Sequence, residues 1–396
     1  MKKKYFFLLL LLSFLKPIYS QVELSVYSEV SIVTAGPGTE LYSAFGHSAV
    51  RIKDPVLNLD IIYNYGVFDF NAPNFYSNFA KGNLIYTLAR YDFKYFLRTY
   101  NNEKRWVKQQ VLNLTRDERQ AYFLFLEDNA KPSNANYSYD PYFNNCATIL
   151  RDITKSILKN KVAFNDNHLV KDQTLRSLMD KELYWNTWGS FGINLIAGTI
   201  LDKKATTSEY MYLPDYVYDA FKHGTIYIKN QPENLVKRED VLLNFKENKQ
   251  KSGLFNPFII FSILAILGIF ITSKDFKNNK RTKVLDFILF FITGVIGCVI
   301  AFLWFFSSHS TAPNNFNFLW AFAPNLIVSF ILLKNHQHKW LQKYLQLLIL
   351  FLIVIPILWL ARVQGFPIAV IPLLILLLVR YLYLLKNVIV RDNIIS

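Results

Sequence analysis

The sequence predicts an α+β domain followed by an all-α domain of five membrane-spanning helices, with a leader ahead of both. Three observations carry the prediction. The chain opens "MKKKYFFLLLLLSFLKPIYSQ", three lysines and then an apolar run from Tyr5 to Leu15 followed by Pro17 and Ser20. That is the layout of a secretory signal peptide over residues 1–20, cut between Ser20 and Gln21. Ile18 departs from the small-residue rule at such sites, so an uncleaved anchor is the alternative. Residues 21–252 are mixed in polarity, rich in Tyr and Phe, and long enough to bury one sizeable core. After Gly253 the composition changes, and residues 253–396 carry five apolar runs: Leu254–Thr272, Val284–Phe306, Phe318–Leu333, Leu345–Ala361 and Ile368–Leu385. Each approaches the roughly 20 residues that span a bilayer core.

Within the exported part, "VELSVYSEVSIVTAG" alternates as strands do and ends at the turn Gly36-Pro37-Gly38. Strands are expected at His47–Ile52, Ile61–Phe70, Leu84–Tyr91 and Arg105–Leu114, with a short helical turn at Phe75–Phe79. Thr115 and Glu118 form a capping box that opens a helix. The charged stretch Lys229–Lys251 reads as a tether of mixed structure above the membrane. No cysteine lies near the cleavage site, so the chain is not itself a lipid-anchored lipoprotein.

The segments between the apolar runs alternate in charge. Lys274, Lys277, Lys280, Arg281 and Lys283 follow the first run, Lys334, Lys339 and Lys343 the third, and Lys386 and Arg391 the fifth. The intervening "SSHSTAPNNFN" and "RVQGFP" carry only Arg362. By the positive-inside rule the C-terminus is cytoplasmic and the first domain is periplasmic, on an inner, multi-pass membrane protein. Re-entrant short runs would give three spans, but the charge alternation argues against that count. The net charge of +15 is in large part this topology signal together with the leader lysines, so it implies no nucleic-acid partner. Positive charge near the outer leaflet would also favour anionic phospholipid headgroups.

Cys146, in "YFNNCATI", is one of two cysteines; the other, Cys298, lies in the second apolar run. A solitary thiol in an oxidising compartment calls for an explanation. Ile149, Leu150, Ile153, Ile157 and Leu158 recur at helical spacing, and Asn144 or Asn145 is a good N-cap before them. Cys146 therefore falls in the first turn of an amphipathic helix, where free N–H groups and the helix dipole favour a thiolate and could hold an oxyanion. The opposing reading is a small buried hydrophobe, which free cysteines often are; the polar neighbours and capped helix start weigh against it. Asn145, next to the thiol, is also a candidate substrate contact.

A thiol nucleophile needs a base. Of His47, His168 and His223, the last two read as loop or turn residues. His47 begins a strand after a glycine and small residues, which gives a Cys–His dyad. Asn64 or Asp69, on a neighbouring strand, could orient the imidazole, with Asn64 preferred. No zinc spacing, phosphate loop or Gly-x-Ser-x-Gly elbow is present, so neither metal nor cofactor is expected. Trp185, Trp188 and the tyrosines from Tyr210 to Tyr218 read as core or interfacial aromatics. His309, in the uncharged loop on the domain's side of the membrane, is an ordinary loop residue or a group that positions a lipid ester.

Several long segments resemble the Lnb family: "GPGTELYSAFGHSAVRI", "YNYGVFDFNAPNFYSNFAKGNLIYTL", "NYSYDPYFNNCATILRDI", "FGINLIAGTILDKKATTSEYMYLPDYV" and "HSTAPNNFNFLWAFAPN". The likeness covers essentially the whole mature chain. It implies a lipoprotein N-acyltransferase with a periplasmic domain similar to circularly permuted papain-like (NlpC/P60-type) domains and a five-helix transmembrane domain. The family's cysteine falls on Cys146 and its histidine on His47. The implied reaction takes an acyl chain from a membrane phospholipid through a Cys146 thioester to the α-amino group of a diacylated lipoprotein. The residues alone support a membrane-bound thiol acyl-transfer enzyme; a membrane-anchored cysteine peptidase or amidase acting on cell-wall peptides is the alternative, and a non-catalytic envelope scaffold is a third.

Overall fold

The computed structural model describes residues 22–169, 172–248, 250–334 and 339–395, with side chains to residue 387. The leader expected at 1–20 lies outside them. The first half opens with three strands, β1 (Glu29–Ala35), β2 (His47–Asp54) and β3 (Leu59–Val67). Then come α1 (Phe75–Lys81), β4 (Ile85–Asp92), α2 (Phe93–Asn102), β5 (Val107–Leu112), α3 (Arg116–Asn129), β6 (Asn136–Ser138) and α4 (Cys146–Leu158). The domain continues with β7 (Val162–Ala163), α5 (Leu175–Glu182), α6 (Trp188–Ile196), α7 (Thr207–Tyr210) and α8 (Pro214–Lys222), and closes with β8 (Thr225–Ile228), β9 (Gln231–Asn234) and β10 (Val236–Leu243).

Seven strands make one antiparallel sheet in the order β10-β5-β1-β2-β3-β4-β6, and β7-β8-β9 form a small second sheet. Period-2 alternation divides each central strand between two covered faces. Val30, Ile32, Val50, Ile52 and Tyr63 point toward α3, α4 and α8, packing on Tyr122, Leu126, Leu150, Ile153 and Phe221. Val33, Ala35, Ala49 and Ile62 face α2, against Phe93, Phe96 and Tyr100. Because both faces are covered, β1 is buried from Val30 to Ala35, its polar Ser31 and Thr34 included. The expected Thr115–Glu118 capping box opens α3, with the Glu118 N–H donating to Thr115 Oγ1 at 3.3 Å and the Thr115 N–H to Glu118 Oε2 at 2.9 Å.

One expectation is corrected here. Most of Lys229–Lys251 is not a tether. The stretch completes a hairpin and then supplies β10, the edge strand paired with β5. Its Arg238 bridges Glu29 and Asp240, and Asp240 accepts from Gln109 at 2.8 Å. Charges along "VKRED" mark the solvated edge of a sheet, where they discourage further strand pairing.

The second half holds α9 (Pro257–Lys277), α10 (Lys283–Phe306), α11 (Asn325–Leu332), α12 (Trp340–Leu360) and α13 (Ile371–Ile395). Among the described residues four helices are long and apolar enough to cross a membrane. The third apolar run, expected as a span, is not one long helix but a 3₁₀ turn at Phe316–Leu319 followed by the eight-residue α11. Pro324 interrupts the run, and Asn315, Asn317 and Asn325 within and beside it are fully buried. Irregular backbone at membrane depth is tolerated where protein covers it. Here α10 does so: a Cβ on Gly297 would lie 2.1 Å from the Ala321 carbonyl oxygen, so only glycine allows the approach. At the far end, the buried Arg380 guanidinium bonds Asp286 at 2.6 Å and Asp275 at 2.8 Å, and Arg281 bonds Asp286 and the Leu332 carbonyl. That network ties α9, α10, α11 and α13 together.

Candidate functional site

Local sequence positions the thiol. Of the two candidate caps, Asn145 holds the position: its Oδ1 accepts from the Ala147 and Thr148 N–H groups, both at 2.9 Å, and Thr148 Oγ1 accepts from the Asn145 N–H at 2.8 Å. Its Nδ2 donates to the Pro141 and Tyr212 carbonyls. Asn145, expected also as a substrate contact, is therefore buried and engaged on both sides by the protein itself. Cys146 is the first residue of α4 and is half-buried.

His47 lies on the α2 face of the sheet, its ring centroid 6.4 Å from that of Phe96. α4 packs on the opposite face. The two meet because the sheet opens between them beyond Val50–Tyr63, the last residue pair of β2 and β3. Gly66 stands in that opening with φ +92°, and a Cβ there would lie 3.6 Å from Cys146 Cβ and 3.9 Å from His47 Cε1. A side chain at Gly66 would occupy the gap and strain the backbone. The only signal of this role in the sequence is a lone glycine inside a strand pattern.

Cys146 and His47 both lie against the Gly66 position, close enough for their side chains to interact. His47 Nε2 lies 2.5 Å from Asn64 Oδ1, and Asn64 Nδ2 donates to Tyr91 Oη at 3.0 Å. With Nε2–H donated to Asn64, Nδ1 is left for the thiol. Asp69, the other candidate, instead accepts from the Asn71 N–H at 2.8 Å. His168 and His223 stack on each other with centroids 4.4 Å apart.

The electrostatics favour a charged pair. Burial pushes the Cys146 thiol up, but the His47 charge and hydrogen bond, with the Ser48 and Cys146 backbone N–H groups, bring it below the ordinary thiol value. Burial pushes His47 down and Arg105 opposes its charge. The Cys146 charge and the hydrogen bonds to Cys146 and Asn64 outweigh both and hold the imidazole above its ordinary value. Each group thus shifts the other toward its charged form, the direction in which a thiol becomes more nucleophilic.

His309 is not at the dyad. Its Nε2 lies 2.9 Å from the Phe79 carbonyl oxygen, and the neighbouring Ser308 N–H donates to the Lys81 carbonyl at 2.7 Å, both in α1. Ser310 Oγ donates to Asp140 Oδ2 at 2.5 Å, and Asp140 caps the turn that leads into Cys146 through the Tyr142 and Phe143 N–H groups. Ser310 and Asp140 lie in two of the segments that carry the resemblance, but nothing in either segment signals their pairing. A second junction lies beside it. Arg176, buried, bonds Asp202 at 2.9 and 3.0 Å and Asn194 at 2.6 Å, and Asp202 accepts from the Gly365 N–H at 2.9 Å. Asn315 Nδ2 donates to the Leu195 carbonyl at 2.8 Å and the Gly198 N–H to the Thr311 carbonyl at 2.8 Å. The loops between the long helices are thus built into the domain that carries Cys146.

Comparison with known families gives two matches. Residues 18–181 match the Lnb N-terminal periplasmic domain, and residues 248–390 match the Lnb transmembrane domain. No curated protein and no solved structure matches the chain. Both halves of one architecture thus occur in order on a single polypeptide, and the chain belongs to the Lnb family, with a mixed α/β periplasmic domain joined to a helical transmembrane domain.

Proposed function

We propose that this chain is a lipoprotein N-acyltransferase of the inner membrane, with Cys146 as nucleophile, His47 as acid and base, and Asn64 as the residue that positions the imidazole. The observation that carries the reading is the Cys146–His47–Asn64 contact on a domain built into membrane helices; family membership supplies the reaction class. The thiolate attacks the carbonyl carbon of a phospholipid ester. The C–S bond forms, the ester C–O bond breaks, and the glycerol oxygen leaves with the His47 proton, giving a lysophospholipid and an acyl-thioester. The neutral imidazole then takes a proton from the free α-amino group of a diacylglyceryl-cysteine. The amine nitrogen attacks the thioester, the C–N bond forms, and the C–S bond breaks to return the thiolate.

Asn145 already engages the Ala147 and Thr148 N–H groups, which leaves those of Cys146 and Ser48 to face the sulfur and to support the oxyanion. The histidine precedes the cysteine and the nucleophile opens a helix packed on an antiparallel sheet, which supports a permuted papain-like fold. We count residues 316–334 as a short fifth crossing, between the Asn315 contact with Leu195 at one end and the Leu332 contact with Arg281 at the other. With the first domain periplasmic, that count leaves the C-terminus in the cytoplasm.

The test is mass spectrometry of a diacylated lipoprotein's N-terminal peptide after incubation with phospholipid vesicles and purified protein, comparing wild type, Cys146→Ser and His47→Ala. The expected result is an added N-linked acyl chain with wild type alone. Cleavage of a cell-wall peptide by wild type without any acyl gain would replace the transferase by a hydrolase.

A further inference from the structure

A line of aromatic rings runs from the turn before Cys146 to the loop where α10 emerges. The turn closes on itself, with the Asp140 and Asn144 N–H groups each donating to the other's carbonyl at 3.1 Å, which sets Tyr139 beside the start of α4. Tyr139 stacks on Tyr86 at 4.0 Å, Tyr86 meets Phe68 at 4.9 Å, and Phe68 meets Phe75 at 6.1 Å. Phe75 then meets Phe79 at 6.1 Å, and Phe79 meets His309 at 6.2 Å. His309 lies three residues beyond Phe306, the last residue of α10, and Phe305 and Phe306 are themselves exposed on a helix apolar enough to cross a bilayer.

Tyr86 is buried, but toward α1 the line is not a closed core. α1 buries none of its own residues, and Phe70, Tyr76 and Phe79 in and beside it are 53%, 74% and 49% exposed. A helix with no buried face is held by something other than core packing. Here that is the ring line and the two bonds from the Ser308–His309 loop. Apolar surface of this kind marks a binding site, and its two ends name the occupant: one at a nucleophile poised for acyl transfer, the other at lipid-facing helix.

We propose that this aromatic line is the acyl-chain site of the donor, with the ester carbonyl at Cys146 and the hydrocarbon lying along Tyr86, Phe68, Phe75 and Phe79 toward the membrane. The inference rests on the acyl-transfer reading. It assigns a role to the loop of His309 as the floor of the site, and to Phe79 as the ring met only by the far end of a long chain.

The experiment presents purified full-length protein with vesicles containing phosphatidylethanolamine bearing either palmitoyl or octanoyl chains, and reads the acyl-thioester on Cys146 by intact mass. No acceptor is needed. Phe79→Ala is expected to lower the palmitoyl thioester about tenfold while leaving the octanoyl thioester within about twofold of wild type. Tyr86→Ala, at the nucleophile end of the line, is expected to lower both. A photoreactive diazirine at the palmitoyl terminus should label α1 in the wild type. Equal loss for both chains in Phe79→Ala, no loss for either, or labelling confined to the long helices would overturn the site. Absence of any thioester in the wild type would instead defeat the acyl-transfer reading.

Discussion

At Cys146 the balance between thiol and thiolate is decided by neighbours, since burial alone would keep the proton on sulfur. Thiolate is lost as pH falls through the lowered Cys146 value, and imidazolium is lost as pH rises through the raised His47 value. Thioester formation is therefore expected to follow a bell-shaped pH profile. Asn64→Ala removes a hydrogen bond that raises His47, so the alkaline limb should move to lower pH. Initial rates of thioester formation across pH check this, and an unmoved limb would remove Asn64 from its positioning role. The solitary thiol, the strand histidine and the nearby asparagine were all legible as residue types. What the sequence concealed was direction: the Asn145 amide turned into its own helix and the His309 ring turned toward the Phe79 carbonyl.

Elements whose signals are local were read well, and those fixed by distant partners were not. The capped starts of α3 and α4 follow from side chains within three residues of one another. Asn145→Ala is expected to cost about 1–2 kcal/mol for the cap, with a further cost for leaving the Pro141 and Tyr212 carbonyls unpaired. Denaturant titration in detergent measures it, and a change near zero would mean that the cap is dispensable to α4. The third apolar run was expected as an uninterrupted helix because hydropathy counts residues and not the asparagines and proline that bend them. β10 was misread as a tether because its charges resemble a linker until β5 is seen beside it.

For the molecule as a whole, two of the segments that carried the family likeness, "FGINLIAGTILDKK" and "HSTAPNNFN", turn out to be two sides of one junction, joined by Gly198 to Thr311 and Leu195 to Asn315. No pattern in either predicts the other, since the contact spans more than a hundred residues of chain. Both domains and their order were legible; their interlocking was not. The loop after α10 has a further consequence. It is bonded to α1 through Ser308 and His309 and to the turn before Cys146 through Ser310, and α10 is a helix whose tilt in lipid adjusts to hydrocarbon thickness. Tilting α10 shifts the loop, and with it the distance between the nucleophile and the hydrocarbon boundary. The expected consequence is an activity that responds to bilayer thickness. Its rate should pass through an optimum in vesicles of inert ether lipids of stepped chain length carrying a fixed trace of donor; a rate indifferent to thickness would mean that the linkage is slack.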